Sequence, residues 1–189
     1  MIKRKEDIEI IESILKGNSE DYRLLVDRYK DRAFSMLNRM LKNEFEAEEV
    51  LQDSFLKAYN GLKSFKKESK FSTWFYKIVY NTCLSVLNSK AKRYEKEFVS
   101  IDESFEVGIT DNQFDFESTD TSQIIYKYLD LLPIRSSLVL ILFYIDGLKI
   151  TEISEVLNIS ISNVKIILHR ARNELKEIMI KNNFAKESA

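Results

Sequence analysis

Cysteine, histidine, glycine and proline are all scarce in this sequence of 189 residues, which contains one Cys, one His, four Gly and one Pro. The single cysteine, Cys83, excludes an internal disulfide, and one histidine leaves no His, Cys and carboxylate cluster at metal-site spacing. A Gly-rich phosphate-binding loop is also missing. We therefore expect no catalytic residue, no cofactor and no metal. With so few helix breakers, long helices are predicted.

Long apolar runs are missing as well, because no uninterrupted apolar stretch approaches the roughly 18 residues of a membrane span. The N-terminus, MIKRKEDIEIIESILK, is charged throughout and unlike a secretion signal. The composition is 44% apolar and 31% charged, as in soluble globular proteins. We expect a cytoplasmic protein of one medium or two small domains, without membrane insertion.

Positive charge and aromatic rings are concentrated in residues 61–96. Nine Lys and Arg against two Glu leave a charge of +7 there, in a chain whose net charge is −1. Cations hold phosphates and rings stack on bases, so the segment predicts a surface for single-stranded nucleic acid. The alternative is a basic amphipathic helix with a core of rings, and the spacing of Phe71, Trp74 and Phe75 favours it for part of the set.

Apolar residues between Asp7 and Asn60 recur at steps of three and four, which predicts three helices. The third, from about Phe45 to Asn60, carries an acidic outer face formed by Glu46, Glu49, Gln52 and Asp53. An acidic helix face is usually only solvated. Here it accompanies a basic surface, and two faces of opposite sign also fit two different partners.

Residues 97–122 contain eight Asp and Glu and no Lys or Arg. Helical periodicity fades in this stretch, which predicts an acidic linker. The sequence therefore predicts an all-α chain with two small helical domains, residues 1–96 and 123–189, joined by that linker.

The second domain shows the pattern of a helix-turn-helix. Pro133 separates two helices and Gly147 ends the second of them. Asn158 is placed in the next turn because Asn tolerates the left-handed conformation, and Ser160 is placed as the N-cap of the last helix. That helix is the candidate for DNA recognition, although such helix pairs also occur as plain structure.

Taken in chain order, the acidic face of the third helix, the basic aromatic segment and the helix-turn-helix resemble the sigma factors of bacterial RNA polymerase, in their extracytoplasmic-function group. EAEEVLQDSFLKAY (46–59) resembles the core-binding segment, residues 65–93 the minus-ten-reading segment and residues 132–172 the minus-thirty-five reader. The resemblance implies a subunit without enzymatic activity or small-molecule substrate. It would bind core RNA polymerase, recognise promoter DNA at two elements and open the duplex, and an anti-sigma factor would hold it.

The resemblance also places functional residues by position. Polymerase contacts would be Glu49, Gln52, Asp53 and Phe55. The flipped-out minus-ten base would bind to a loop that contains Lys66, Lys67 and Ser69. The adjoining single strand would bind to a helix that contains Lys70, Thr73, Lys77 and Asn81. The minus-thirty-five duplex would meet Arg135, Lys149, Ser162, Asn163, Lys165, Ile166, Ile167, Arg170 and Arg172.

Four positions depart from the family pattern. Ser154 and Asn158 stand where Ala and Gly are usual, and both are physically tolerable. Ile166 and Ile167 stand where Ser and Arg are common, which leaves the base preference open. Because neighbours on a helix are about 100° apart, at least one of the two isoleucines is expected to face DNA.

Two rival functions remain. A free-standing helix-turn-helix regulator, binding DNA as a dimer, explains residues 149–175 but gives the basic segment and the acidic face no role. An enzyme acting on nucleic acid, with Glu49 and Asp53 as metal-binding carboxylates, lacks a complete site. A regulator would bind duplex promoter alone, whereas a sigma factor requires core polymerase.

Overall fold

The computed structural model describes residues 5–97 and 120–182, with side chains for 5–91 and 125–182. All regular structure in these ranges is helical, and the chain divides into two compact units, residues 1–103 and 104–189. The prediction of an all-α chain with two domains is confirmed. Helices extend to Glu97 and start again at Asp120, and the rest of the predicted linker lies outside the described residues.

The first unit contains helices α1 (Asp7–Leu15), α2 (Tyr22–Leu41), α3 (Glu44–Gly61) and α4 (Phe71–Glu97), with 3-10 turns at Ser19–Asp21 and Leu62–Ser64. Local chemistry sets several of these ends. The Glu6 amide donates to the Glu9 carboxylate at 2.8 Å in a capping box before α1. Lys42 ends α2 in the left-handed conformation, and the Asn43 side chain caps α3 by accepting from the Glu46 amide.

A cluster of rings holds α2, α3 and α4 together. Phe75 of α4 stacks on Phe55 of α3 with ring centroids 4.6 Å apart, and on Phe71 at 5.9 Å. Tyr29 of α2 meets Phe71 edge-on at 5.5 Å. Cys83 is fully buried on α4, and this burial raises the pKa of its thiol to about 12, so it is a packing residue. Most rings of the basic segment therefore form core.

The second unit contains α5 (Asp120–Asp130), α6 (Ile134–Leu140), α7 (Ile150–Leu157) and α8 (Ile161–Lys181). A π-helical turn, Ile141–Ile145, extends α6, and Gly147 leaves it with a φ of 66°. Leu142, Ile153 and Leu168 are buried where α6, α7 and α8 pack together. Within the described parts of both units, no helix is long and apolar enough to cross a bilayer.

Candidate nucleic-acid and partner interfaces

Short-range hydrogen bonds fix the turn between α7 and α8. Asn158 has a φ of 52° and its backbone N–H donates to the Ser154 carbonyl, so the predicted left-handed turn residue is confirmed. The Ser154 hydroxyl donates to the Ile159 carbonyl at 2.5 Å. Ser160 accepts from the Asn163 amide at 3.2 Å, which confirms the predicted N-cap. The two helices therefore form a helix-turn-helix whose second helix starts at a defined place.

The outward face of α8 is centred on Ile166. Val164, Leu168 and Ala171 are buried against the core, whereas Ile166 is 50% exposed and Ile167 only half-buried. The other predicted contacts on this helix are exposed: Ser162, Asn163, Lys165, Arg170 and Arg172. Arg135 on α6 and Lys149, the residue before α7, are also exposed.

Two exposed residues on the same side of α8 were not among the DNA contacts predicted from the sequence. His169 and Asn173 follow Ile166 by three and seven residues, so they share its face. Helical spacing from Ile166 would have found both of them. Next to the apolar Ile166, the outward face therefore offers an imidazole and an amide, two groups that can hydrogen-bond to base edges.

Arg172 lies on a flank of α8, about 120° around the helix from Ile166. Its Nε donates to the Leu168 carbonyl at 3.3 Å, and its guanidinium lies 5.9 Å from the centroid of the Tyr144 ring. Both side chains line an apolar groove of about 650 Å³ formed by α5, the end of α6 and α8. Arg172 thus stands apart from the outward face that carries the other predicted contacts.

On α3 the exposed face is both acidic and apolar. Glu49, Gln52 and Asp53 are exposed, as predicted. Phe45 and Leu56, which flank them at helical spacing, are 83% and 61% exposed. The sequence analysis missed these two apolar residues, although their positions opposite the buried Ala47 and Val50 would have placed them on the outer face.

Three predicted positions differ from expectation in the first unit. Glu46, counted on the outer acidic face of α3, is half-buried and pairs with Lys90 of α4. Phe55, predicted to touch polymerase, is 8% exposed because its ring stacks on Phe75. Thr73, predicted to lie beside DNA, is 1% exposed on the inner side of α4. Phe55 and Thr73 therefore pack in the core of this unit, where the sequence analysis expected them at a binding surface.

Three further predicted minus-ten residues share one side of the first unit, with Lys70 just before α4 and Lys77 and Asn81 on it. Lys70, Lys77 and Asn81 are exposed and spaced by seven and four residues, and Trp74 lies half-buried between them. The Trp74 ring packs on Phe65 at 5.1 Å and on Phe71 at 5.7 Å. Gly61 permits this packing, since a Cβ there would lie 3.1 Å from the indole. The result is a basic and amide-bearing strip on a rigid aromatic base.

The loop before α4 contains Lys66, Lys67 and Ser69. Lys66 is exposed and Ser69 half-buried. Lys67 has a φ of 59°, and its ammonium lies 2.6 Å from a carboxylate oxygen of Glu12 on α1. The hydrogen bond from Lys67 and its positive charge lower the pKa of Glu12. Glu12 was not singled out from the sequence, because 55 residues separate the partners.

The rival hypothesis of an enzyme requires Glu49 and Asp53 to act as metal-binding carboxylates. Across the residues that the structure describes, no three His, Cys, Asp or Glu side chains come together as a group that could hold a metal ion. Asp53 instead lies 4.0 Å from the ammonium of Lys57, one helical turn away.

A helix-turn-helix in one unit and a basic strip on a helical partner unit define a two-domain, all-helical DNA-binding protein. The family model described as Sigma-70 region 2 matches residues 25–93, and that described as Sigma-70, region 4 matches residues 122–175. The ECF RNA polymerase sigma factor SigW of Bacillus subtilis is 32% identical over 187 residues, covering 94% of this chain and 96% of that protein. The chain belongs to the ECF group of the sigma-70 family.

Other relatives agree with this assignment. The ECF RNA polymerase sigma-E factor of Escherichia coli K12 is 29% identical over 182 residues, covering 93% of this chain and 95% of that one. The sigma factor RpoE of Bartonella quintana, crystallised with the anti-sigma factor NepR, shares the fold with a TM-score of 0.65. It is 21% identical, and the match covers 85% of this chain and 97% of that chain.

Proposed function

We propose that this sigma factor binds core RNA polymerase through α3 and reads promoter DNA with two separate surfaces. The loop at residues 65–70 and the exposed face of α4 would hold the minus-ten single strand. The outward face of α8 would enter the major groove of the minus-thirty-five element. The observation that carries the proposal is the pairing, within one unit, of an acidic and apolar face on α3 with a basic strip on α4.

The α3 face has the composition of a protein interface. Phe45 and Leu56 expose large apolar side chains, and the carboxylates of Glu49 and Asp53 lie between them. Buried apolar anchors supply most of the energy of such interfaces, and charges at the rim steer the encounter and set specificity. The partner surface on the polymerase would therefore be basic with apolar pockets.

At the minus-ten element the protein must offset the few kcal/mol that unstacking one base costs. Lys66 and Lys77 would bind phosphates on either side of that base, and the Asn81 amide lies one turn further along α4. The ring cluster beneath Trp74 keeps this surface in place before DNA arrives. A surface formed in advance loses less entropy on binding.

At the minus-thirty-five element the phosphate contacts would come from Arg135, Lys149, Lys165 and Arg170. Base contacts would come from Ser162, Asn163 and Ile166 on the outward face, with His169 and Asn173 beside them. The apolar side chain of Ile166 can pack on a thymine methyl group. This division separates the residues that position the helix from those that select the sequence.

The proposal includes three expectations about cellular role. The chain would act without catalytic activity of its own, because the chemistry of transcription belongs to the polymerase. It would work in the cytoplasm, where the polymerase and the promoters are. An anti-sigma factor would control its release, and purification of the tagged chain from cells with its bound partners tests this point directly.

Charge reversal on α3 tests the polymerase assignment. Glu49→Lys combined with Asp53→Lys should weaken binding to core polymerase by about ten-fold or more, because positive charges would then meet a basic partner surface. Unfolding stability should barely change, since exposed charges contribute little to it. The measurement is titration of labelled protein with core polymerase without DNA.

The matched control is Glu20→Lys combined with Glu155→Lys, an equal change of charge at exposed carboxylates that belong to other elements than α3. Its affinity for core polymerase should stay at the wild-type value. Equal affinities for all three proteins would remove α3 from the interface. A gel shift with duplex promoter separates the rival function: a free-standing regulator shifts the duplex alone, and a sigma factor shifts it only with polymerase.

A further inference from the structure

Helix α1 is held firmly on the first unit although it precedes residue 25, where the region 2 match begins. Ile10 and Ile11 are fully buried, and Ile14 is nearly so. Asp7, at the start of α1, accepts hydrogen bonds from the Arg28 guanidinium and the Tyr29 hydroxyl of α2. Apolar packing and these two bonds together make α1 a fixed part of the unit.

From this fixed helix, Glu12 reaches the loop that precedes α4. The carboxylate of Glu12 lies 2.6 Å from the Lys67 ammonium, within hydrogen-bond range. Lys67 also has a φ of 59°, a left-handed conformation that residues with a Cβ seldom adopt. Such a conformation persists where the surroundings stabilise it, and the ion pair to α1 is a contact that the structure shows at this residue.

The neighbouring Lys66 has a different environment. Its side chain is exposed to solvent, so binding a phosphate would cost it only bound water and counterions. Lys67 would have to exchange the Glu12 carboxylate for a phosphate, that is, one anion for another. The net electrostatic gain from Lys67 is therefore small, and the two lysines are expected to make unequal contributions.

We propose that Glu12 is a positioning residue for the loop at residues 65–70. Through Lys67 it holds the loop in one shape, and Lys67 serves loop geometry instead of the DNA backbone. The inference rests on the proposed minus-ten function of this loop. It changes the expectation from sequence, which treated Lys66 and Lys67 as equivalent contacts.

Loss of the ion pair would have two consequences. The loop would sample more conformations. The difference in binding affinity between a matching base and other bases would therefore be smaller than it is with the loop held in place. In addition, Lys67 would become an ordinary exposed cation, able to bind any phosphate. Glu12→Gln should therefore increase general affinity for single-stranded DNA and decrease discrimination between sequences.

The experiment uses holoenzyme assembled from the full chain and core polymerase. Its two probes are oligo(dT) and a single strand that wild-type holoenzyme selects from a random pool. Glu12→Gln and Lys67→Met should each lower the affinity ratio of the selected strand over oligo(dT) by about two- to five-fold, the range of exposed ion pairs. Because both residues act through one contact, the double variant Glu12→Gln with Lys67→Met should lower this affinity ratio no further than either single variant does.

A salt series separates positioning from phosphate binding. The salt dependence of oligo(dT) binding should steepen in Glu12→Gln by about 0.7, the slope of one phosphate contact on a single strand. It should stay near the wild-type value in Lys67→Met and become shallower in Lys66→Met. Glu20→Gln, an equal charge change in the turn after α1, is the control and should alter neither the ratio nor the slope.

The outcomes distinguish the inference from the function on which it rests. If wild-type holoenzyme discriminates and Glu12→Gln discriminates equally well, the positioning role is wrong while the minus-ten function stands. Additive effects of Glu12→Gln and Lys67→Met, or a shallower slope in Lys67→Met, would also overturn it. If wild-type holoenzyme selects no sequence from the pool, the proposed minus-ten function fails and the inference with it.

Discussion

At the scale of single residues, Ile166 is the residue from which a base preference at the minus-thirty-five element can be predicted. It is half exposed on the side of α8 directly opposite the buried Val164 and Leu168. A large apolar side chain is unusual at the centre of a surface that meets a polyanion. Its chemistry fits the methyl group of thymine, the main apolar feature of the major groove.

The corresponding prediction is that the minus-thirty-five element has a thymine opposite Ile166. Ile166→Arg should shift the preference there toward guanine by about 1–3 kcal/mol, because Arg pairs with the guanine edge. Ile167→Arg is the matched control, since Ile167 is half-buried and about 100° away around the helix. The measurement is holoenzyme binding to promoters substituted across the element. Unchanged preference in both variants would mean that α8 enters the groove differently.

At the scale of elements, the α7 and α8 pair depends on the turn that joins them. Hydrogen bonds in this turn set where α8 begins. They involve the backbone N–H of Asn158, the hydroxyl of Ser154 and the side chain of Ser160. Because α8 carries the outward face, the turn also sets where that face begins. Local hydrogen bonds in this element therefore support both its stability and the DNA recognition proposed for α8.

Removal of the cap should have a measurable cost. Ser160→Ala is expected to lower the free energy of unfolding of the second unit by about 1 kcal/mol, because the Asn163 amide loses its acceptor. Ser162→Ala, at an exposed position two residues later, should change it by less than about 0.5 kcal/mol. Urea unfolding followed by circular dichroism checks both values. Equal losses in the two variants would show that the cap contributes nothing specific.

At the scale of the whole chain, charge is strongly segregated. Residues 61–96 carry +7, whereas residues 97–122 carry eight carboxylates and no cation. The two segments adjoin directly in the sequence. In the free protein, the acidic segment is therefore expected to compete with DNA for the basic surface, and binding to polymerase would remove it.

Neutralisation of the acidic segment tests this competition. Asp102, Glu103, Glu106, Asp111 and Asp115, which lie outside the described residues, would be changed to the corresponding amides. The free protein should then bind single-stranded DNA more tightly at low salt, and the difference should shrink near 1 M salt, where the screening length is about 3 Å. Fluorescence anisotropy measures both. Equal affinities at low salt would rule the competition out.

The sequence alone determined the helices, the helix-turn-helix and the family. Helical periodicity, the Asn158 turn and the Ser160 cap depend on residues within a few positions of each other, so they can be read locally. The family assignment drew on three such local segments in a characteristic order. Domain boundaries at residues 96 and 123 stay a prediction, because most of the intervening segment lies outside the described residues.

Only the tertiary structure decided which candidate side chains are free to bind. The ring that packs on Phe55 is that of Phe75, 20 residues away in sequence on another helix. Lys67 differs from Lys66 because Glu12, 55 residues away, forms an ion pair with it. Composition and periodicity identify the face of a helix, but they do not identify the residue from another helix that occupies it. Burial and pairing across such distances arise from packing, which no local pattern contains.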